Sequence, residues 1–108
     1  MDCAKIILPI RDSLEMLSGH WKLPIIVSLS FGAKRFKEIS RNVPGITDWM
    51  LSKELKDLEV NKLVTRTVLD TFPPTVNYTI TQHARSLDKL LLELLEWGLR
   101  HREPIRNG

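Results

Sequence analysis

Apolar residues recur at helical spacing over several stretches of this chain and become dense in β-branched residues over two others. The first helix is predicted from Pro9 to Leu17, because proline suits a first helical turn, and Ser18-Gly19 ends it. A second helix is predicted from Trp21 to Ser30, with Leu23, Ile26, Val27 and Ser30 sharing a face. Pro24 falls in its first turn, where a missing N–H is tolerated, and Gly32 closes it. Lys34 to Asn42 reads as a short third helix with Phe36 and Ile39-Ser40 turned inward. Pro44-Gly45 then makes a tight turn. Thr47 is a suitable N-cap, and Asp48 puts negative charge where the helix dipole favours it. The fourth helix, Asp48 to Val60, carries Leu51, Leu55 and Leu58 as one apolar stripe, and Asn61 is suited to the left-handed conformation that ends a helix.

The period changes after Asn61. Leu63–Leu69 and Thr75–Ile80 read as two strands of a hairpin, with two prolines in the loop where they cost no ladder bond. Thr81 caps a last helix reaching about Arg102, ahead of Pro104. The order is helix, helix, short helix, turn, helix, hairpin, long helix. That order predicts a mainly α fold with a small β-hairpin wing, a winged helix-turn-helix. No repeat, low-complexity tract or Gly/Ser linker divides residues 1–108, so a single domain is expected.

Composition narrows the function classes. The content is 43% apolar and 27% charged, ordinary for a folded domain. No run of about 20 apolar residues spans a membrane, and the N-terminal apolar run is too short for a secretory signal, so a cytoplasmic protein is expected. The single cysteine, Cys3, excludes an internal disulfide and any Cys-x-x-Cys motif. It is either incidental or the source of an intermolecular or sensor thiol. His20, His83 and His101 lack metal-ligand spacing, and no Ser/His/Asp set or Gly-rich phosphate loop is present. No enzyme, metal or cofactor is expected.

The net charge of +3 is localised. Between Lys34 and Thr67 eight basic residues meet five acidic ones, and the remainder of the chain balances. A local basic excess suits a polyanionic partner. In a helix-turn-helix, one helix braces and the next lies in the major groove of duplex DNA. Here Lys34–Asn42 would brace and Thr47–Val60 would read. At ~100° per residue, Trp49, Lys53 and Lys56 fall opposite the leucine stripe, with Ser52 on the flank. Lys53, Lys56 and Ser52 suit base edges and phosphates. Trp49 either packs on a thymine methyl or sugar or folds back over a neighbouring helix. Asp48 and Glu54 oppose phosphate unless paired within the helix. Arg66 in the hairpin is the candidate wing contact.

The chain resembles the HxlR-type regulators, a branch of MarR-like winged-helix transcription factors. The matching residues are Pro9, Gly19-His20-Trp21-Lys22, Arg35-Phe36-Lys37-Glu38-Ile39, Pro44-Gly45-Ile46-Thr47, Met50-Leu51 and Leu55-Lys56-Asp57-Leu58-Glu59. Lys62-Leu63-Val64, the run from Pro73 to Thr81, Leu87 and Trp97-Gly98 complete them, in order and without gaps. The resemblance implies a homodimer joined mainly by the N- and C-terminal helices, each protomer offering one reader helix and one wing to double-stranded DNA. Lys34, Arg35, Thr47, Asp48 and Thr75 join the candidate DNA-binding residues on this reading. Leu8, Ile10, Leu14 and Trp97 join the candidate dimer residues. Leu87, Leu90, Leu91, Leu94 and Leu95 form a wide apolar stripe, which either meets a second protomer or completes the chain's own core.

Three departures from the family pattern stand out. Leu8 precedes Pro9 where many members carry a sensing cysteine, with Cys3 five residues earlier. Thr75 replaces a usual wing basic residue, and Asp48-Trp49 replaces a commoner polar and basic pair. A small-molecule effector between helices at a dimer junction is left open, with no residue set to specify it. The rival reading is a winged helix used for protein interaction without DNA, with Trp49 as a hydrophobic anchor.

Overall fold

A computed structural model describes the backbone of residues 2–107 and the side chains of residues 2–102. Its elements run α1 (Cys3–Leu17), α2 (Lys22–Ser30), α3 (Phe36–Asn42), α4 (Asp48–Val60), β1 (Val64–Leu69), β2 (Thr75–Ile80), α5 (Gln82–Arg85) and α6 (Asp88–Asn107). The predicted order stands, with five corrections.

The first helix begins well ahead of Pro9. Asp2 caps it by accepting the Ala4 N–H at 3.0 Å, so Pro9 lies inside α1. A proline there removes one backbone bond, which a capped run of Ile and Leu can carry. In α2 the buried face is Ile25, Ile26 and Leu29 with Ser28, whereas Val27 is exposed. The helix is apolar almost all round, so its periodicity alone did not select the inward side. Ser28 Oγ donates to Asn42 Oδ1 at 2.8 Å and thereby ties α2 to the end of α3.

The α4 terminus is shifted by one residue from expectation. Asn61 keeps a negative φ of −85°, and Lys62 takes the left-handed conformation at +60°. Lys62 N–H reaches Glu59 O (3.0 Å) and Leu63 N–H reaches Leu58 O (2.9 Å), the paired bonds of a Schellman motif. Leu58 and Leu63, which flank that motif, are both buried. Their burial sets where the helix must end.

The last predicted helix is two. Thr81 Oγ1 accepts from Ala84 N–H (3.1 Å) and donates to Lys62 O (2.7 Å), pinning α5 to the turn after α4. Ser86 and Leu87 then fold back on His83 and Ala84 before α6 starts, and α6 continues past Pro104.

β1 and β2 pair antiparallel, from Val64 opposite Ile80 to Leu69 opposite Thr75. Lys34 and Tyr78 exchange two backbone hydrogen bonds (3.0 and 2.8 Å) on the other side of β2. Lys34 is therefore an extended residue that docks the hairpin to the helices, and α3 starts only at Phe36. Glu38 accepts the Arg35 N–H at 3.0 Å to cap that start. Gly45, at φ +86°, makes the turn into α4.

The core gathers Ile25, Ile26 and Leu29 of α2, Ile39 of α3, the Leu51-Leu55-Leu58 stripe, Leu63, Val64, Ile80 and Ala84. α1 contributes only Leu17 to it, and from α6 only Leu91 packs against it, half-buried. The radius of gyration is 16.2 Å. A compact chain of this length would give about 13 Å, so the two terminal helices extend beyond the body. No helix of the described residues is long and apolar enough to cross a membrane.

Candidate nucleic-acid interface

Burial of Leu51, Leu55 and Leu58 turns the opposite side of α4 to solvent, and Asp48, Trp49, Ser52, Lys53 and Lys56 are all exposed there. Thr47 caps the helix by accepting the Met50 N–H at 3.1 Å. Trp49 is 70% exposed, so it does not fold back over a neighbouring helix. Lys53 Nζ instead lies 5.5 Å from its ring centroid, a cation–π contact along one helical turn.

Three acidic residues of α4, Asp48, Glu54 and Asp57, pair with lysines of other helices, whereas Glu59 stays exposed at the helix end. Glu54 Oε2 meets Lys22 Nζ at 2.7 Å, and Asp57 lies 3.7 Å from the same ammonium. Both Lys22 and Glu54 side chains are largely buried. Asp48 faces Lys37 of α3 at 3.8 Å, with both side chains well exposed. The outward face of α4 therefore carries less uncompensated negative charge than its sequence suggests.

Strand alternation puts Arg66 and its cross-strand partner Tyr78 on one face of the hairpin. That face turns to α4. Ser52, Lys56 and Glu59 of α4 join Arg66 and Tyr78 around a cleft of about 310 Å³, floored by Leu55. Two cations from different elements thus line one opening. Thr75 belongs to the other face of the hairpin, and its hydroxyl is engaged with Thr71 Oγ1 at 3.1 Å. It lines a wider groove with Arg35, Lys37 and Arg41. Of the candidate residues, Ser52, Lys56 and Arg66 thus line one opening and Arg35 and Thr75 the other, while Lys34, Thr47, Asp48, Trp49 and Lys53 line neither.

Lys37, Arg41 and Tyr78 were not among the residues singled out from sequence. The i, i+4 basic pair Lys37–Arg41 was legible on α3. Tyr78 was not, since only strand register places it beside Arg66.

A profile of HxlR-like helix-turn-helix proteins matches residues 16–106. The chain belongs to that family. It is 36% identical over 101 residues to the HTH-type transcriptional regulator YtcD of Bacillus subtilis (strain 168), covering 94% of this chain and 80% of that protein. Similarity to the regulator YybR of the same organism is 34% over 99 residues, covering 92% and 79%. Among solved structures, the redox regulator HypR in its reduced form superposes with a TM-score of 0.85 at 34% identity, covering 93% of this chain and 99% of that one. The HxlR-like chain is thus a transcriptional regulator with a winged helix-turn-helix, a non-enzymatic role.

In this HxlR-like fold the candidate dimer residues fall into two groups. Leu8, Ile10 and Leu14 on α1 and Leu90, Leu94, Leu95 and Trp97 on α6 are exposed. Leu87 and Leu91 instead pack, half-buried, on the chain's own core. Ile6, Ile7, Leu92 and Leu99 extend the exposed apolar surface beyond the expected residues.

Proposed function

We propose that this regulator binds double-stranded DNA sequence-specifically as a homodimer, with α4 in the major groove and the hairpin as a wing. The carrying observation is the convergence of Lys56 and Arg66, from α4 and β1, on one polar cleft beside the exposed Ser52-Lys53 surface. Two cations on separate rigid elements can hold consecutive parts of one phosphate backbone, which fixes the register of the reader helix. Trp49, Ser52 and Lys53 then meet base edges, and Asp48 can accept from a cytosine amino group. Arg35 and Thr75, with Lys37 and Arg41, line the second groove and serve the neighbouring phosphates, and Lys34 adds a cation where the hairpin docks on the helices.

The dimer reading rests on α1. A 15-residue helix with a single buried residue gains too little from its own domain to account for its apolar face. A second copy, contributing its own α1 and α6, covers that face. Two-fold symmetry then sets half-sites about 34–36 Å apart or a multiple of it. A cytoplasmic location accords with this role.

The decisive experiment is duplex binding at graded salt. Affinity falls steeply as salt rises, because phosphate contacts release counterions. Lys53→Ala/Lys56→Ala abolishes most of that affinity. Full binding by this double variant overturns the assigned face. No duplex preference at low salt favours a protein-interaction module built around Trp49.

A further inference from the structure

Phe72 stands at the outer end of the hairpin, with its side chain fully exposed at 103% of the reference value. It is the most exposed of the large apolar side chains among the described residues. The loop that carries it is held from within. Thr71 N–H donates to Leu69 O (2.9 Å), Thr71 Oγ1 donates to Pro73 O (2.9 Å), and the same hydroxyl lies 3.1 Å from Thr75 Oγ1. Pro73 and Pro74 restrict the backbone that follows. A ring held out on a stiff loop loses little freedom when it meets a partner.

The surroundings of Phe72 specify that partner. The hairpin face that turns to α4 is graded along its length. It begins with buried Val64 and Ile80, passes Arg66 and Tyr78 at the cationic cleft, and continues to exposed Val68 beside Val76. The tip follows. From Arg66 to Leu69 the strand advances about 10 Å, so the tip reaches about that far past the cation at the cleft. From Asp70 to Val76 the only charged residue is Asp70, and the cations that share a groove with Thr75 and Val76 belong to Arg35, Lys37 and Arg41, so the loop itself supplies none. Its one large side chain, Phe72, is apolar and exposed.

We propose that Phe72 is an apolar wedge entering the minor groove next to the major groove read by α4. There the ring packs on sugars and partly unstacks one base step, kinking the duplex. Pyrimidine–purine steps unstack most readily, so the wedge selects such a step at a position that no hydrogen bond reads. The proposal rests on the duplex-binding reading above and assigns the wing a role in specificity.

The test uses a duplex selected by the full-length chain from random sequence, with 2-aminopurine at the step facing the wing and dyes at the ends. The unsubstituted protein raises the 2-aminopurine fluorescence and shortens the end-to-end distance. Phe72→Ala binds about tenfold more weakly, as loss of one aromatic–base contact predicts, and loses both signals. Its salt dependence is unchanged, because no phosphate contact is removed. Phe72→Leu keeps most of the bend, and thermal unfolding of both variants matches the parent because the ring is outside the core. A Phe72→Ala variant with parental affinity, bend and fluorescence overturns the wedge while leaving duplex binding intact. A changed salt slope in that variant also overturns it, since the tip would then act through charge. Failure of the unsubstituted chain to bind any duplex removes the DNA-binding reading itself, and the wedge with it.

Discussion

Lys22 Nζ lies 2.7 Å from Glu54 Oε2, and this largely buried ion pair joins the first turn of α2 to the middle of α4. The contact ties α4 to α2 and draws an acidic side chain away from the exposed Ser52-Lys53 surface of α4. Asp57, 3.7 Å from the same ammonium, adds a second partner. Removing one member of such a pair leaves the other desolvated and alone. Lys22→Ala is therefore expected to destabilise the fold by about 2–4 kcal/mol. The double variant Lys22→Met/Glu54→Leu recovers most of that loss. Urea unfolding of the three proteins checks both statements.

The two hairpin faces predict different outcomes for two neighbouring wing residues. Arg66 shares its cleft with Lys56, whereas the Thr75 hydroxyl is held by Thr71. Arg66→Ala is expected to weaken binding to all duplexes alike and to lower the salt slope by about one. Thr75→Ala leaves the slope unchanged. Fluorescence anisotropy across a salt series separates them, and equal slopes for Arg66→Ala and the parent would refute the cleft contact.

Leu14 on α1 is 60% exposed, and it lies on a helix of which its own domain buries only Leu17. Sedimentation of the parent at micromolar concentration is expected to show twice the protomer mass. Leu14→Glu places a charge within the apolar seam and shifts the population toward monomer. A parent protein that sediments as a monomer removes the two-half-site arrangement.

Lys62 carries a positive φ of +60° at the end of α4. A side chain in this conformation costs roughly 1 kcal/mol, which glycine avoids. Lys62→Gly is expected to raise stability by up to about 1 kcal/mol, whereas Asn61→Gly, at a negative φ, does not. Thermal melts of the two variants decide between the positions.

Cys3 is exposed in the first turn of α1, five residues ahead of Leu8. It is the only cysteine of the chain, so a disulfide through it requires a thiol from a second molecule. Cys3→Ser is expected to leave duplex binding under oxidant as it is in the parent. A response that disappears with this substitution would reassign the thiol.

The fold was largely legible before the structure. The Leu51-Leu55-Leu58 stripe, the Thr47 cap and the two β-branched runs are local signals, set by side-chain spacing and turn chemistry, and each appears where expected. The outward set Trp49, Ser52, Lys53 and Lys56 follows from the same stripe, because burying one side of a helix exposes the other. Signals failed where neighbouring elements compete for the same residues. α2 is apolar on nearly every side, so only contact with the rest of the core decided that Ile25, Ser28 and Leu29 join Ile26 inside and that Val27, expected there, is exposed. The end of α4 moved to Lys62 because Leu63 had to reach the interior with Leu58.

By itself, then, the sequence determined the order of elements, the family and the polar face of the reader helix, all of which depend on residues close along the chain. Only the tertiary structure decided that Glu54 turns to Lys22, that Arg66 and Tyr78 share a cleft with Lys56, and that Thr75 belongs to the opposite groove. Those facts depend on strand register and on helix-to-helix distance. One residue of register reverses which side of a strand a side chain occupies, and no local pattern records a contact between positions more than thirty residues apart in the chain.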